Sequence, residues 1–438
     1  MRHTIGDKNN YLKLFDAIDK QSEYDEKKIK EKLKKEKFAS QLFVVKSYLY
    51  DAILKSLDSY NAEHSASNQL NQIIHYIEIL YDKALYEECE KMIEKAEKLA
   101  TKHEYHPGLL EIINWKFKLA RNNNNVKTYE NELDNLHEQK KDIINKISNY
   151  YQYKWLNAKL ISRIMKKGWF PRSPEEILRE YEPIIKDPVF EKEENAHSLH
   201  AQMLFHNTLS AYFHLKGDNE MSYSHSKKAE NVFKENALLI ESNQEDYISC
   251  LGNLVFTSMF LGKYEETFKY IGVLKQMKLR SKALQARLIT SAYLPEIVSY
   301  NISGNLEAGI KLVLEVAPKL LESGHLLPQR EILYLQYNFA CIYFKAQQYK
   351  KSAQWLFTIL NDKGIDFLPD LQTKTRILNL MVQTELSNQD LLPYLLRSTY
   401  RFLLKQQRLY QFEKIVLSFI RRLPDIAPND IRNGYRVL

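Results

Sequence analysis

The stretch Leu261-Gly262-Lys263-Tyr264-Glu265-Glu266 ends one predicted amphipathic helix and begins another. A short polar turn is followed by a large residue, Tyr264, that opens the second helix. Further copies of this arrangement are Lys216-Gly217-Asp218-Asn219-Glu220, Ser303-Gly304-Asn305-Leu306-Glu307-Ala308 and Gln347-Gln348-Tyr349-Lys350-Lys351. Helix–turn–helix units at a regular period predict a solenoid, in which each pair buries its apolar face against its neighbours.

The second helices share a pattern of side-chain size. A large residue opens the helix, a small one follows three positions later, and another small or apolar one lies seven further on. The sets are Tyr86, Cys89 and Ala96; Val126, Tyr129 and Leu136; Asn219, Ser222 and Ala229; Tyr264, Thr267 and Leu274; Leu306, Gly309 and Val316; and Tyr349, Ser352 and Ile359. The openings at residues 219, 264, 306 and 349 are 45, 42 and 43 residues apart.

Composition favours long helices over sheets. The 438 residues include only 12 Gly and 12 Pro, whereas a sheet protein needs many turns. Apolar residues make up 44% of the chain, which is ample for a core. We therefore predict an all-α, right-handed solenoid of antiparallel helix pairs.

The net charge and the cysteines limit which cellular compartments and which classes of partner the sequence favours. The net charge of +8 is mild for this length, so it permits an acidic partner without demanding nucleic acid. Cys89, Cys250 and Cys341 stand far apart, without a paired motif, as in a reducing compartment. The first residues are polar and contain no apolar segment of the kind found in signal peptides. The sequence also has no run of about 18 apolar residues, which a membrane span would need. The expected location is the cytoplasm.

The pattern divides the chain into three parts: an N-terminal helical segment (1–62), a repeat array (63–365) and basic capping helices (366–438). In the first part we predict a long helix over Phe38 to Tyr60. Within the array, Lys146 to Lys167 is predicted as a long helix, and Ser173-Pro174-Glu175-Glu176 as a helix start with Ser173 as N-cap. We predict three closing helices over Leu371 to Leu423.

These units resemble the tetratricopeptide superfamily over roughly residues 68–360. Their period exceeds the usual value of about 34 residues, and the longer units are similar to those of bacterial peptide-sensing helical regulators. Separately, the stretch from Ala17 to Leu57, with Tyr24-Asp25-Glu26, Glu36-Lys37-Phe38 and Tyr48-Leu49-Tyr50, is similar to the beginning of an uncharacterised protein family of Bacteroidota. That second resemblance implies no activity.

The tetratricopeptide resemblance implies that first helices line a concave face and that fixed positions on them contact a ligand. Carried over to this chain, the predicted ligand-binding positions are Asn71, Glu78, Tyr81, Asn207, His214, Asn301, Tyr334, Tyr337 and Lys345. Asparagine amides can hold a peptide backbone, and tyrosine supplies stiff contact area. Phe256, Met259 and Phe260 also fall on this face, where they serve either the ligand or the core.

No motif predicts catalysis or a cofactor. The chain lacks a nucleophile elbow, a glycine-rich phosphate loop and a paired-cysteine site. Glu193, His197 and His200 fall at i, i+4 and i+7, on one predicted helix face, where zinc or iron ligands could lie, but packing or exposed histidines are the preferred explanation. We expect no enzyme activity, no metal and no cofactor.

Basic segments keep a nucleic-acid alternative open. Seven lysines lie between Lys27 and Lys37, and the C-terminal helices carry Arg397, Arg401, Lys405 and Arg408 among aromatic residues. Both segments can equally be the solvated faces of packed helices. A helix-turn-helix over Lys34 to Lys55, with Lys46, Ser47 and Tyr48 reading DNA, is a weaker version of this alternative.

Two functions therefore stay open. The leading hypothesis is a scaffold that holds a protein or peptide partner on its concave face. The alternative is a nucleic-acid-associated regulator that binds through its basic ends. The sequence leaves the oligomeric state open.

Overall fold

The computed structural model describes residues 5–61, 66–121, 126–168, 171, 173–279, 281–388, 390–406 and 411–422. These residues are helical and contain no strand, which confirms the all-α class. The chain forms two compact units, Met1–Ile144 and Asn145–Leu438.

Unit 1 contains two helical layers, each with its own apolar cluster. One cluster joins Leu14, Ile29 and Leu49, and the other joins Ile77 and Ile112. The helices are α1 (Ile5–Asp19), α2 (Glu26–Lys32), α3 (Leu42–Asn61), α4 (Ala66–Asp82), α5 (Tyr86–Lys102), α6 (His106–Ala120) and the first part of α7 (Val126–Lys167).

The helix predicted over Phe38 to Tyr60 is interrupted at its start. Residues Lys37–Gln41 form a 3₁₀ turn that buries Phe38, and α3 begins only at Leu42. Lys46, which the DNA-reading alternative needed, instead pairs with Glu26, with Nζ 2.6 Å from Oε2. An intramolecular carboxylate therefore already neutralises this cation.

Unit 2 begins within α7 and continues through a series of helices joined by short connections. They are α8 (Pro174–Glu180), α9 (Glu182–Ile185), α10 (Leu199–Leu215), α11 (Asn219–Glu235), α12 (Ala237–Ser242), α13 (Gln244–Phe260), α14 (Tyr264–Gln276), α15 (Lys282–Leu288), α16 (Leu294–Ser303), α17 (Leu306–Ser323), α18 (Gln329–Lys345), α19 (Tyr349–Leu360), α20 (Pro369–Glu385), α21 (Leu392–Lys405) and α22 (Gln411–Arg422).

Helices of unit 2 pack mainly on their neighbours along the chain. The pairs α10–α11, α13–α14, α16–α17 and α18–α19 are in contact, and α11 also packs on α13 and α19 on α20. Between α15 and α16 the backbone passes through a π-helical turn, Ile289–Tyr293. The buried apolar side chains therefore form a series of clusters along the unit rather than one central core.

One turn geometry recurs between paired helices. A residue in the left-handed region lies two positions before the second helix, and the next N–H bonds back to a carbonyl five residues earlier, as in a Schellman turn. Such bonds run from Leu85 to Leu80, from Asp218 to Phe213, from Lys263 to Ser258 and from Gln348 to Tyr343, at 2.8–3.0 Å. The left-handed residues are Ala84, Gly217, Gly262, Gly304 and Gln347.

The small residues predicted within the second helices lie at buried helix–helix contacts. Cys89, Ser222, Thr267 and Ser352 have no exposed surface. The hydroxyls of Ser222 and Ser352 each donate to a carbonyl twelve residues earlier, on Ser210 and Ala340, at 2.8 Å. The small side chain thus lets the two helices approach and also satisfies its own polar group.

Two predictions around α7 are confirmed. Lys146 to Lys167 is helical, and it forms the later part of α7, which runs unbroken over 42 residues from Val126 to Lys167. Ser173 caps α8, with its hydroxyl accepting from the N–H of Glu176 at 3.3 Å. The predicted loop at Trp169 and Phe170 lies outside the described residues.

The predicted closing helices are α20, α21 and α22. A cluster of Leu380, Leu392, Leu403, Val416 and Ile420 holds them together. Across the part of the chain that the structure describes, none of the helices has both the length and the apolarity that a bilayer crossing requires.

Candidate functional site

A groove runs along α7 within unit 2. Two cavities lie side by side in it, of about 750 and 790 Å³. The first is bounded by α7 at Tyr150 and Lys154, by α10 and by the start of α13. The second is bounded by the end of α7 and by α13, the π-helical turn, α18 and the start of α20. We call these two cavities together the α7 groove.

Contacts along α7 hold this helix against distant parts of unit 2. Asn157 donates to the Thr208 hydroxyl on α10 at 3.0 Å. Further along, the Arg330 guanidinium of α18 lies 3.0 Å from the Met165 sulfur. At the end of α7, Gly168 lies so close to Asp370 of α20 that a β-carbon there would collide with the carboxylate. These contacts fix α7 as one side of the groove.

An ion pair separates the two cavities. Arg287, which lines the second cavity, pairs with Glu245, which lines the first, and also donates to the Ser249 hydroxyl at 3.2 Å. Next to it, burial raises the pKa of Asp246, and Glu245 adds to the effect, although His200 and Lys154 oppose it. The groove thus combines charges of both signs.

Apolar side chains stand exposed at the second cavity. Met165 on α7 is 46% exposed, and Phe367, just before α20, is 85% exposed. Large apolar side chains at a concave surface are a common feature of binding sites for other proteins. The second cavity is therefore the part of the α7 groove best suited to bind apolar side chains of a partner.

Three of the predicted ligand positions lie on α4 in unit 1. Asn71 and Glu78 are exposed, and Glu78 lies 3.4 Å from the His75 ring. Tyr81 is half-buried and packs edge-on against Tyr86 and Trp115. Tyr81 therefore contributes to helix packing, whereas Asn71 and Glu78 face solvent.

Most of the predicted positions in unit 2 make bonds that tie helices together. Asn207 accepts from Asn253 at 3.1 Å, which links α10 to α13. Asn301 donates to the carbonyl of Asn338 at 3.2 Å, which links α16 to α18. Lys345 adds to that link by donating to the carbonyl of Asn301 at 2.5 Å.

The remaining predicted positions differ in exposure. His214 is buried, packs against Phe256 and Phe260, and has its pKa lowered by burial. Tyr337 packs among buried residues of α18–α20, and burial raises its pKa well above the usual value. Tyr334 lines the second cavity of the α7 groove. Of the nine predicted residues, it is the one that lines this groove.

The helical face predicted for Glu193, His197 and His200 does not form. Glu193 lies in a 3₁₀ turn, the backbone is extended at Ala196, and α10 begins after Ser198, which caps it. The predicted i, i+4, i+7 arrangement was therefore wrong. Among the described residues, no group of three or more His, Cys, Asp and Glu side chains is arranged to hold a metal ion.

A different histidine pair forms in this region. His206 is buried and bonds to Glu193 through Nε2 and to the Nδ1 atom of His225 through its own Nδ1, both at 3.1 Å. Because a carboxylate only accepts, His206 donates from Nε2 and accepts at Nδ1. Burial and the neighbouring His206 lower the pKa of His225 to about 4. The pair is therefore neutral near pH 7.

A second groove lies between α21 and α22, with a volume of about 640 Å³. We call it the C-terminal groove. Two of the predicted nucleic-acid contacts, Arg397 and Arg401, line it, whereas Lys405 is exposed outside it. Arg408 lies outside the described residues. The described residues that line it are Pro393, Leu396, Arg397, Tyr400, Arg401, Lys414, Leu417, Ser418 and Arg421.

The α7 groove contains residues that the sequence pattern did not single out. Met165, Arg287 and Phe367 have ordinary sequence surroundings, and they meet only because α7 packs against helices more than a hundred residues away. A repeat pattern reflects the spacing of residues close together in the sequence, so it does not predict contacts between helices that are more than a hundred residues apart.

Comparison with protein-family profiles and with curated proteins finds no match for this chain.

Proposed function

We propose that this protein is a scaffold that binds a protein or peptide partner, and that the α7 groove holds a segment of that partner. The exposure of Phe367 beside a cavity of about 790 Å³ carries the proposal. The recurring helix pairs of 42–45 residues suit a tetratricopeptide-like solenoid, a class of fold that commonly presents concave surfaces to partners. No catalytic step forms part of this function.

The lining of the groove suits polypeptide. Asn253 and Ser249 place amide and hydroxyl groups of the kind that bond to a peptide backbone at the groove, although each also bonds within the protein, to Asn207 and to Arg287. Met165 and Phe367 offer apolar surface for one or two anchoring side chains. The two adjoining cavities extend this surface along α7, which fits an elongated segment better than a compact metabolite.

The compartment forms part of the proposal. Cys89, Cys250 and Cys341 are free thiols, and the first two are buried. Free, widely spaced thiols are typical of proteins in reducing surroundings. We therefore place the scaffold in the cytoplasm.

Affinity capture from the native host tests the groove if it compares two matched variants. Phe367→Ser removes an apolar side chain that is 85% exposed at the groove, and Leu321→Ser removes one that is 88% exposed on α17. We expect the first variant to lose the partner by about tenfold, as for an anchoring residue, and the second to keep it. Equal capture by wild type and both variants would reject the α7 groove as the binding site.

A further inference from the structure

The C-terminal groove carries charge that the rest of the structure leaves unbalanced. Arg397 and Arg401 lie on the α21 side, and Lys414 and Arg421 on the α22 side. None of these four cations forms an ion pair with another described residue. Glu413 is the one acidic residue in 391–422. Within the part of the chain that the structure describes, a partner with carboxylates would therefore find four cations that no intramolecular acid already pairs with.

The floor of the same groove is apolar. Leu396 and Leu417 line the groove together with the cations, and Leu417 is buried within the cluster that joins α20 to α22. Tyr400 is 49% exposed and adds an aromatic surface beside them. A ligand made only of charge would leave this floor uncovered, so the occupant must bring apolar side chains as well.

The spacing of the cations fits a helix. Arg397 and Arg401 are one turn apart, or about 6 Å along the axis, and Lys414 and Arg421 are two turns apart, or about 10 Å. A bound helix that carries an apolar stripe flanked by carboxylates can place Glu or Asp side chains at matching intervals. Arginine can also bind a carboxylate through two parallel hydrogen bonds.

We propose that the C-terminal groove binds an acidic amphipathic helix of a partner protein. Leucine-like side chains of that helix lie on Leu396 and Leu417, and its carboxylates pair with the four cations. This site is separate from the α7 groove and does not depend on the function proposed there.

The groove favours this occupant over nucleic acid. Single-stranded nucleic acids are held by successive bases stacked on several aromatic side chains, whereas Tyr400 is the one aromatic residue among the described residues that line the groove. Phosphates placed between the two helices would also lie against Leu396 and Leu417, where they would lose water without gaining a partner.

Fluorescence anisotropy with synthetic probes tests the proposal on the full chain. The main probe is a labelled peptide of about four helical turns with a leucine stripe flanked by glutamates. In a second peptide, serine replaces each leucine. Oligo-dT of about 20 nucleotides and vesicles of phosphatidylcholine with phosphatidylserine represent the other anionic ligands.

Two matched double variants remove the same charge at different places. Arg397→Gln with Arg401→Gln changes the groove, and Lys405→Gln with Arg422→Gln changes exposed cations outside it. We expect the groove variant to weaken the leucine peptide by at least about tenfold, because it removes two charge-assisted contacts. The control variant should change binding by less than about twofold, as expected for exposed charges.

Several outcomes would overturn the proposal. Equal losses in the two double variants would show a diffuse charge effect, and equal binding of the serine peptide would show that the apolar floor has no role. Tighter binding of oligo-dT or of the vesicles would assign the groove to those ligands. Absence of saturable binding of the leucine peptide up to about 1 mM would also reject it.

Discussion

The helices α10–α20 and the closing pair α21–α22 use polar side chains in opposite ways. In α10–α20, the polar groups predicted to contact a ligand mostly bond to neighbouring helices, as Asn207 does to Asn253 and Asn301 to Asn338. In α21–α22, the cations of the C-terminal groove meet no described acid. A polar residue on a repeat face is therefore evidence for binding only after its partners within the protein have been identified.

We predict that the apolar side chains of α21 and α22 stabilise the fold, whereas the cations of the C-terminal groove do not. Among the described residues, truncation after Asp390 removes five buried apolar side chains: Leu392, Leu403, Val416, Leu417 and Ile420. At about 1.5–3 kcal/mol each, their loss matches or exceeds the typical stability margin of about 5–15 kcal/mol. We expect loss of solubility or of cooperative thermal unfolding, followed by circular dichroism.

The matched control for the truncation is the Arg397→Gln, Arg401→Gln variant. Surface charge changes usually alter stability by less than about 0.5 kcal/mol, so its melting curve should match that of wild type. A truncated chain that melts like the full one would instead show that α21 and α22 are an independent appendage.

The histidine pair of α10 and α11 gives the next largest effect. The pKa of His225 is lowered to about 4, so between pH 4 and its ordinary value of about 6.5 the unfolded chain binds a proton that the folded chain does not. Stability should therefore fall as the pH decreases through this window. The difference between the pKa of about 4 in the folded chain and the ordinary value of 6.5 sets the contribution of His225 to at most about 3.4 kcal/mol.

Urea unfolding at about pH 7 and pH 5 measures this dependence. His225→Gln keeps a hydrogen-bonding amide without titrating in this range, so its stability should change less between the two pH values than that of wild type. If both proteins lose stability equally, the buried pair does not contribute to the acid sensitivity.

The end of α7 gives a smaller effect on stability. Gly168 has φ of +98° and lies against Asp370, whereas Gly262 has φ of +70° and open space around its α-carbon. Gly262→Ala should cost about 1 kcal/mol, the conformational penalty alone. Gly168→Ala should cost more, about 2 kcal/mol, because the carboxylate must also move.

The difference between the two glycine variants isolates the contact between α7 and α20. It should appear in urea unfolding as a lower midpoint for Gly168→Ala. Equal destabilisation of the two variants would indicate that the Asp370 side chain moves away at no cost. The contact would then not hold α7 in place beside the groove.

Local signals in the sequence predicted the elements well. The starts of the second helices at Tyr86, Asn219, Tyr264, Leu306 and Tyr349 are confirmed to the residue. They could be predicted because a turn is specified by a few adjacent residues, and the recurring Schellman geometry keeps the next helix in the same register.

The extent of α7 and one error had a local origin as well. The segment before Lys146 contains no turn residue that would stop a helix, so the helix predicted over Lys146 to Lys167 begins earlier, at Val126. The spacing of Glu193 and His200 was interpreted as one continuous helix. Ser198, which lies between them, is a good N-cap, and a new helix, α10, begins directly after it.

The candidate site could be predicted only in part. Arg397 and Arg401 were found because their charge is concentrated within one short segment. Met165 and Phe367 are brought to one cavity by the packing of α7 against α18 and α20, and contacts over such sequence distances leave no periodic pattern.

Site-specific photo-crosslinking tests the central claim, that the α7 groove holds the partner. A photoreactive phenylalanine analogue replaces Phe367 in one protein and Leu321 in another, two positions of nearly equal exposure, 85% and 88%. Both proteins are irradiated in native-host lysate, and the products are identified by mass spectrometry. We predict that a partner is crosslinked at position 367 and not at position 321. Crosslinking at position 321 alone, or equally at both positions, would contradict the account.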